Sequence, residues 1–242
     1  MAEAAALADG ARGRTAPNPN VGCLIVSPKG RVIARGATAS GGRPHAEAVA
    51  LAAAGKRAKG STIYTTLEPC AHASDRGPAC VDLILSARPA RVVIALKDPD
   101  PRTGGKALRR LRAAGIIVKL GVGRSGAAQA MAGWLTRIAI GRPRITLKLA
   151  LSIDGKIALP SGESKWITGE DARAHVHLER ARSDMILVGR GTFAADQPRL
   201  DVRLPGLEDR SPRRALLSRG PAVDGWEMLS GPGEVFRLHD VN

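Results

Sequence analysis

The chain has 242 residues, which is enough for two modest domains or for one large domain with a well-filled core. Aromatic residues make up only 2% of the composition, against 44% hydrophobic residues, so the core is expected to be aliphatic. No apolar run approaches the roughly 18 residues of a membrane span, and the first residues lack a signal-peptide pattern. Three cysteines are too few for a disulfide framework, and they favour a reducing, cytoplasmic setting.

The formal net charge of +15 raises the possibility of nucleic-acid binding. Only nine of the 37 basic residues are lysine, and the arginines are scattered along the chain. Basic residues occur in twos and threes, as at Arg109-Arg110, without the interleaved aromatic residues on which bases stack. We therefore expect no nucleic-acid groove, and the charge favours small phosphorylated substrates instead.

Strands and helices alternate through the first half of the chain. A short hairpin comes first, with strands over residues 21–26 and 31–34 around a Pro-Lys-Gly turn. The elements predicted after it are, in order, a helix over 45–54, a strand over 61–67, a helix over 79–86, a strand over 91–96, a helix over 106–114 and a strand over 116–120. This alternation indicates a layered α/β domain with a largely parallel sheet.

A domain boundary is predicted near Gly141-Arg142-Pro143, which divides the chain into domains over 1–141 and 142–242. After the boundary the pattern restarts, with a strand over 145–151, a loop over 152–168, a helix over 171–181 and a strand over 185–188. From Leu204 onward the sequence is rich in Pro, Gly and Arg and has weak periodicity. The second domain therefore looks unfinished.

Four residues of the first domain fit a catalytic zinc site. His45 opens a predicted helix, and Glu47 follows two residues later. Cys70 and Cys80 each lie at or just before the next helix, where the helix dipole favours thiolate over thiol. Two thiolates and a neutral imidazole balance the dication and leave one tetrahedral position for water. Glu47 is too near His45 to be a comfortable ligand, but it is placed to move a proton from that water to a leaving amine.

This pattern matches the His-x-Glu and Pro-Cys pieces of zinc deaminases, with one departure. Nine residues separate Cys70 from Cys80, where generic nucleoside deaminases have two, so that class is disfavoured. Cys23 lies inside an apolar strand and is assigned to the core. His72 is either a spare ligand or a substrate contact, and we prefer the second interpretation.

Longer stretches carry a resemblance to a known family. In the first domain they are TAPNPNVGCLIV (15–26), GGRPHAEAVAL (41–51), TLEPCAH (66–72) and GPAC (77–80). In the second domain they are TLKLALSIDGKIA (146–158), SGESKWITG (161–169), RARSDMILVGRGT (180–192) and ADQPRLDVR (195–203). Through these motifs the chain resembles the bifunctional deaminase–reductase family of riboflavin biosynthesis, the RibD family, which also spaces its two cysteines widely.

The resemblance implies a fold and two reactions. The fold is a cytidine-deaminase-like three-layer α/β/α domain followed by an incomplete dihydrofolate-reductase-like α/β domain. The first domain, with zinc, would hydrolyse the 2-amino group of 2,5-diamino-6-ribosylamino-4(3H)-pyrimidinone 5′-phosphate, and the second would use NADPH to open the ribosyl ring. An asparagine of the PNPN loop faces the pyrimidine in this family, and Asn20 is the candidate. Spacing does not separate it from Asn18, and a purely structural role in the turn stays open for both.

The resemblance also implies a substrate and cofactor site in the reductase half. Lys148 interrupts an apolar predicted strand, where a charge either edges a pocket or faces solvent. Arg180 and Arg203 suit a ribose phosphate because guanidinium matches phosphate oxygens bidentately, although either alone could be a solvated surface residue. Gly189 and Gly191 form a Gly-x-Gly pattern that could let a cofactor approach the backbone closely. Such a pattern alone is weak evidence for a cofactor site. The other residues that the resemblance implies are Asp154, Ser164 and Trp166 for the substrate, and Thr168, Thr192 and Asp196 for NADPH.

The chain ends where the family's reductase domain continues. We therefore expect a C-terminally truncated member with an intact deaminase site and a weak or inactive reductase. One alternative is a nucleic-acid deaminase of the tRNA adenosine type, which the cysteine spacing and the second domain disfavour. Another is a protein that keeps zinc for structure only, which Glu47 disfavours because such a site needs no proton carrier. The expected partner is a phosphorylated pyrimidine, with neither nucleic acid nor membrane, and homo-oligomerisation stays open.

Overall fold

The structure is a computed structural model, and it describes residues 1–72, 77–219 and 234–238. The chain divides into two compact units, Met1–Arg144 and Ile145–Asn242. The sequence placed this boundary at 141/142, a few residues earlier. Within the described residues, no helix combines the length and apolar character that crossing a bilayer requires.

The first unit is built on a five-stranded sheet in the order β2-β1-β3-β4-β5. β1 runs antiparallel to β2 and β3, whereas β3, β4 and β5 are parallel to one another. The runs of β-branched and aliphatic residues that predicted these strands are the runs that form them. Their bounds are Gly22–Val26 (β1), Val32–Ala37 (β2), Thr62–Leu67 (β3), Arg91–Leu96 (β4) and Ile117–Leu120 (β5).

Among the described residues, six α-helices accompany this sheet. Their bounds are Ala2–Gly10 (α1), Ala46–Ala54 (α2), Cys80–Ala87 (α3), Lys106–Ala113 (α4), Arg124–Ala130 (α5) and Ala132–Ile140 (α6). By their contacts they fall into two groups, α1 with α5 and α6, and α2 with α3 and α4. The sequence predicted the second group but not the first.

The two helix groups cover opposite faces of the sheet, as two glycines on neighbouring strands demonstrate. Cys23 of β1 pairs with Gly36 of β2, so their side-chain positions share a face, and Gly22 points to the other face. A Cβ at Gly22 would lie 1.9 Å from the Ala4 carbonyl oxygen of α1. A Cβ at Gly36 would lie 2.3 Å from the Ala46 carbonyl oxygen of α2. The first unit is therefore a three-layer α/β/α domain, as expected from the resemblance.

The second unit contains a three-stranded parallel sheet in the order β6-β7-β8. Its described elements are α7 (Glu170–Ala181), β6 (Met185–Gly189), α8 (Arg190–Asp196), β7 (Arg213–Leu217) and β8 (Val235–Leu238). Phe193 of α8 and Leu216 of β7 form its small core, with Val188 and Val235 packed against them. The other side of the sheet exposes apolar residues, among them Leu187 and Leu217.

The strand predicted over residues 145–151 is wrong. The segment takes part in neither sheet, and its alternate apolar residues are exposed, with Ile145 at 86% and Leu147 at 79% of their full accessibility. The alternation that indicated a half-buried strand is present, but a strand also needs a hydrogen-bonding neighbour. Among the described residues, this segment has none, so Lys148 lies on exposed, unpaired backbone.

Replacing Gly36 by alanine tests the close approach of α2 to the sheet. The new Cβ would meet the backbone of Ala46 and Ala50, which cannot yield without moving the helix, so we expect a loss of about 2 kcal/mol in the free energy of unfolding. Gly133→Ala is the control, because that helical position has open space and should gain about 0.5–1 kcal/mol. Urea titrations of both variants measure the difference, and equal stabilities would contradict the account.

Candidate metal centre and its surroundings

Three side chains from three separate segments meet in the first unit. His45, Cys70 and Cys80 bring one ligand atom each to within 4.8 Å of one another. The His45 Nδ1 atom lies 3.6 Å from the Cys70 Sγ and 3.3 Å from the Cys80 Sγ. Both cysteines are buried and the histidine is half-buried. The structure therefore places the three predicted metal ligands together.

Local structure delivers each ligand to this point. His45 is the N-cap residue of α2, Cys70 lies three residues beyond the end of β3, and Cys80 is the first residue of α3. The Cys80 amide donates a hydrogen bond to the Cys70 Sγ at 3.2 Å. Two helix N-termini thus point at the cluster, and their exposed N–H groups and dipoles stabilise negative charge on the sulfurs.

The donor set fits zinc in both chemistry and spacing. Tetrahedral zinc with its usual bond lengths to nitrogen and sulfur separates these two atoms by about 3.5 Å, and the two observed separations bracket that value. Imidazole and thiolate are the ligands that zinc prefers. Among the described residues no fourth group joins the cluster, so His72 is not a ligand and one coordination position is left for water.

The two thiols share charge unequally. A hydrogen bond from the Cys80 thiol lowers the pKa of Cys70 to about 4, against the opposing effect of burial. The same hydrogen bond, together with burial, raises the pKa of Cys80. The hydrogen bond therefore favours the thiolate at Cys70, and metal binding requires the Cys80 thiol to lose its proton as well.

Glu47 lies beside the cluster in the first turn of α2, with 3% of its surface exposed. Its Oε1 atom is 3.4 Å from the Thr65 hydroxyl of β3, which is the donor in that contact. Burial raises the pKa of the carboxyl group, nearby His45 lowers it, and Cys70 raises it. A carboxyl group with a raised pKa, held next to an open coordination position, is suited to accept and release a proton.

The predicted substrate contact His72 is half-buried and lies two residues beyond Cys70. Its Nδ1 atom is 3.3 Å from the hydroxyl of Thr103, a fully buried residue in the loop between β4 and α4. The same hydroxyl accepts a hydrogen bond from the Ala71 amide at 3.4 Å. The ring of His72 is therefore anchored through Nδ1, and its substrate role stays a prediction.

Asn20 has a structural task that the sequence did not reveal. Its Nδ2 group donates to the carbonyl oxygens of Ala8 and Ala130, at 2.8 and 2.9 Å, and so ties the PNPN loop to α1 and α5. Asn18 donates through Nδ2 to the Gly42 carbonyl at 2.8 Å. A substrate contact by Asn20, which stays a prediction, would have to use its carbonyl oxygen.

In the second unit, Arg180 and Arg203 come together around Asp201. The Arg180 side chain donates to the Asp201 carbonyl at 3.0 Å, and the Arg203 guanidinium lies 3.4 Å from the Asp201 carboxylate. His177 accepts a hydrogen bond from the Arg203 amide at 3.2 Å, and its pKa is lowered by burial and by the two arginines. The predicted phosphate ligands thus form one cationic cluster.

The other predicted residues of the second unit do not form a cluster with that group. Their neighbours are local, as where the Ser152 hydroxyl donates to the Asp154 carboxylate and Arg173 stacks 4.5 Å over the Trp166 ring. The exposed ones are Lys148, Asp154, Ser164, Trp166, Gly189, Thr192 and Asp196, and Thr168 is half-buried. No described contact joins the substrate residues to the cofactor residues, so both sets stay predictions.

Sequence reasoning missed Asp201 and His177, which organise the arginine cluster, and Thr103, which anchors His72. His177 and Arg180 are three residues apart on α7, a spacing that places two side chains on one helix face and could have indicated the pair. Thr103 contacts Ala71 and His72, which are more than 30 residues away in the sequence, so no local spacing indicates its role.

Two family models match the chain. The cytidine and deoxycytidylate deaminase zinc-binding region matches residues 1–96, which include all three ligands and Glu47. The RibD C-terminal domain matches residues 143–226. Each match falls almost wholly within one of the two units.

Whole proteins match over nearly the full chain. The riboflavin biosynthesis protein RibD of Escherichia coli is 47% identical over 211 residues, 87% of this chain and 57% of the relative. The same-named protein of Aquifex aeolicus is 42% identical over 217 residues, 90% of this chain and 60% of the relative. The chain thus spans well under two thirds of the length of these curated relatives.

Solved structures agree with these matches. The diaminohydroxyphosphoribosylaminopyrimidine deaminase/5-amino-6-(5-phosphoribosylamino)uracil reductase of Thermotoga maritima has a TM-score of 0.86 and 36% identity, covering 97% of this chain and 67% of its own. A RibD structure from Acinetobacter baumannii has a TM-score of 0.83 and 37% identity, covering 99% of this chain and 72% of its own.

The cluster predicts that the protein binds one zinc ion through His45, Cys70 and Cys80. Cys80→Ser should lose most of its zinc, because a hydroxyl at that position is a far weaker ligand than a thiolate. Cys23→Ala is the matched control, since this buried cysteine is outside the cluster and should keep its zinc. Metal analysis of the dialysed proteins measures the zinc bound per chain, and equal zinc content in both variants would contradict the assignment.

Proposed function

The chain belongs to the RibD family of riboflavin biosynthesis proteins, and we propose that its first unit is a zinc-dependent deaminase acting on 2,5-diamino-6-ribosylamino-4(3H)-pyrimidinone 5′-phosphate. The observation that carries the proposal is the buried carboxyl of Glu47 beside a three-ligand cluster with one position open. A structural zinc site has four protein ligands and no need of such a group.

The residues of the site divide the reaction between them. Zinc, when bound, supplies Lewis acidity that lowers the pKa of a water molecule at the open position. Glu47 accepts a proton from that attacking water and later donates it to the departing 2-amino group, which leaves as ammonia. Burial raises the pKa of this carboxyl group, and a carboxyl group with a raised pKa is a better proton acceptor that can still donate the proton afterwards. The Thr65 hydroxyl holds the carboxylate in place.

Ammonia release from this pyrimidine tests the proposal directly. We expect turnover by the zinc-loaded parent, and in Glu47→Gln a fall in kcat of about a hundredfold or more at unchanged zinc content, because the amide cannot carry the proton. A folded, zinc-loaded parent that releases no ammonia would overturn the proposal. Adenosine in a tRNA anticodon stem is the comparison substrate, and salt-sensitive turnover of that substrate would favour the nucleic-acid deaminase instead.

We further propose that the second unit is part of a reductase domain that uses NADPH as its cofactor. In this proposal Arg180 and Arg203 bind the phosphate group of the substrate. The cationic cluster around Asp201 supports the phosphate assignment, since guanidinium groups bind phosphate oxygens through charge-assisted, often bidentate hydrogen bonds. Lys148 and Asp154 are assigned to the same substrate, and both are exposed. Lys148 lies on backbone that pairs with no strand among the described residues, so it lacks the rigid support that a catalytic site needs.

The reductase step is accordingly expected to be far slower than the deaminase step in this chain. With NADPH present, the rate of its oxidation should trail ammonia release by about a hundredfold, the cost of poorly positioned reacting groups. Absorbance of NADPH and an ammonia assay on the same sample give the two rates. Equal rates would contradict the expectation, and the deaminase product supplied alone serves as the control for substrate transfer between the sites.

A further inference from the structure

Glu68 is a buried carboxylate with no part in the chemistry described so far. It lies between β3 and the ligand Cys70, with 2% of its surface exposed. Within the described part of the chain it is not among the metal ligands, and no lysine or arginine pairs with it. Burying a charge without a cation is costly unless hydrogen bonds replace the lost water.

Backbone amides provide those hydrogen bonds. The Oε2 atom accepts from the amides of Gly105 at 2.9 Å and Asp98 at 3.3 Å, and Oε1 accepts from the Leu108 amide at 3.3 Å. Asp98 begins the loop between β4 and α4, and Gly105 ends it as the N-cap residue of α4. A single carboxylate therefore fastens both ends of one loop.

The helix that follows the loop has no cap of its own. The N-cap Gly105 has no side chain, the first turn of α4 contains no acidic residue, and Lys106 opens the helix. A cation at that end opposes the helix dipole. Glu68 provides, from the segment that follows β3, the negative charge and the acceptor atoms that the first turn of α4 lacks.

The loop in turn holds the residues that follow the ligand Cys70. Thr103 is fully buried in the loop, accepts a hydrogen bond from the Ala71 amide and contacts the Nδ1 atom of His72. Glu68 lies two residues before Cys70 and His72 two residues after it. The contacts therefore run from Glu68 to the loop, and from Thr103 of the loop back to the residues beside the candidate ligand Cys70.

We propose that Glu68 is a positioning residue for the deaminase site, which acts through the loop over residues 98–105 and Thr103 to fix His72 toward the substrate. This inference rests on the proposed deaminase function. It predicts a loss of substrate binding rather than of zinc or of proton transfer, because neither the ligands nor Glu47 contact Glu68 among the described hydrogen bonds.

The test uses Glu68→Gln in the zinc-loaded 242-residue chain. The amide keeps the shape but turns a donor toward backbone N–H groups, so we expect KM to rise about tenfold with kcat changed far less and zinc content unchanged. Glu68→Asp retains the charge at a shorter reach and should fall between parent and Glu68→Gln. Ile25→Val, a core change in β1 away from the loop, is the control for simple loss of stability.

A second readout needs no turnover. Hydrogen exchange in Glu68→Gln should lose protection at the Gly105 and Leu108 amides, and the ring nitrogen signals of His72 in labelled protein should shift. Thr103→Val should shift the His72 signals while the Leu108 amide stays protected. Unchanged exchange and unchanged His72 signals in Glu68→Gln would overturn the inference. An unchanged KM in an active variant would do so as well. If the parent releases no ammonia but hydrogen exchange in Glu68→Gln changes as expected, the proposed function is refuted, whereas the role of Glu68 in holding the loop over residues 98–105 is retained.

Discussion

The requirement that three ligand atoms reach one point governs the first unit. Metal–ligand distances tolerate errors of only a few tenths of an ångström, and here the ligands come from a helix N-cap, a strand end and a helix start. The N-cap ligand His45 is in place only because α2 lies directly on the sheet at Gly36, where no side chain fits. Close packing of one helix on one strand is therefore a condition of the chemistry.

A second set of buried hydrogen bonds, made by side chains and by backbone amides, surrounds the ligands. Thr65 holds Glu47, the Cys80 amide supports the Cys70 sulfur, and Glu68 holds the loop beside His72. Each of these groups is buried, where water cannot compete for the hydrogen bond. The reacting groups thus keep their geometry before substrate arrives, which is what electrostatic preorganisation requires.

The candidate ligands and the proposed general base could be nominated from the sequence because their chemistry is specific to residue type. The sheet strands of the first unit were also predictable, since their β-branched runs are long. α1 and α5 were missed because alanine-rich stretches with few large apolar residues carry little helical periodicity. α6 was missed although it contains large apolar residues such as Trp134 and Leu135. Glu68 was beyond reach for another reason: its partners are backbone amides 30 to 40 residues away, and no side-chain spacing encodes them.

The strand wrongly predicted over residues 145–151 and the difference between the two candidate sites have one physical origin, the presence or absence of a hydrogen-bonded neighbouring strand. Alternating apolar residues specify which face of a strand is buried, but the strand exists only if a neighbour completes its hydrogen bonds. In the first unit every predicted strand has such a neighbour, and the site is built at the ends of those strands and of the helices packed on them. In the second unit Arg180 and Arg203 are organised because α7 and Asp201 hold them, whereas Lys148 is on backbone that nothing among the described residues pairs with. Residue identity is thus sufficient to nominate a site, and the pairing of the backbone beneath it decides whether the site is formed.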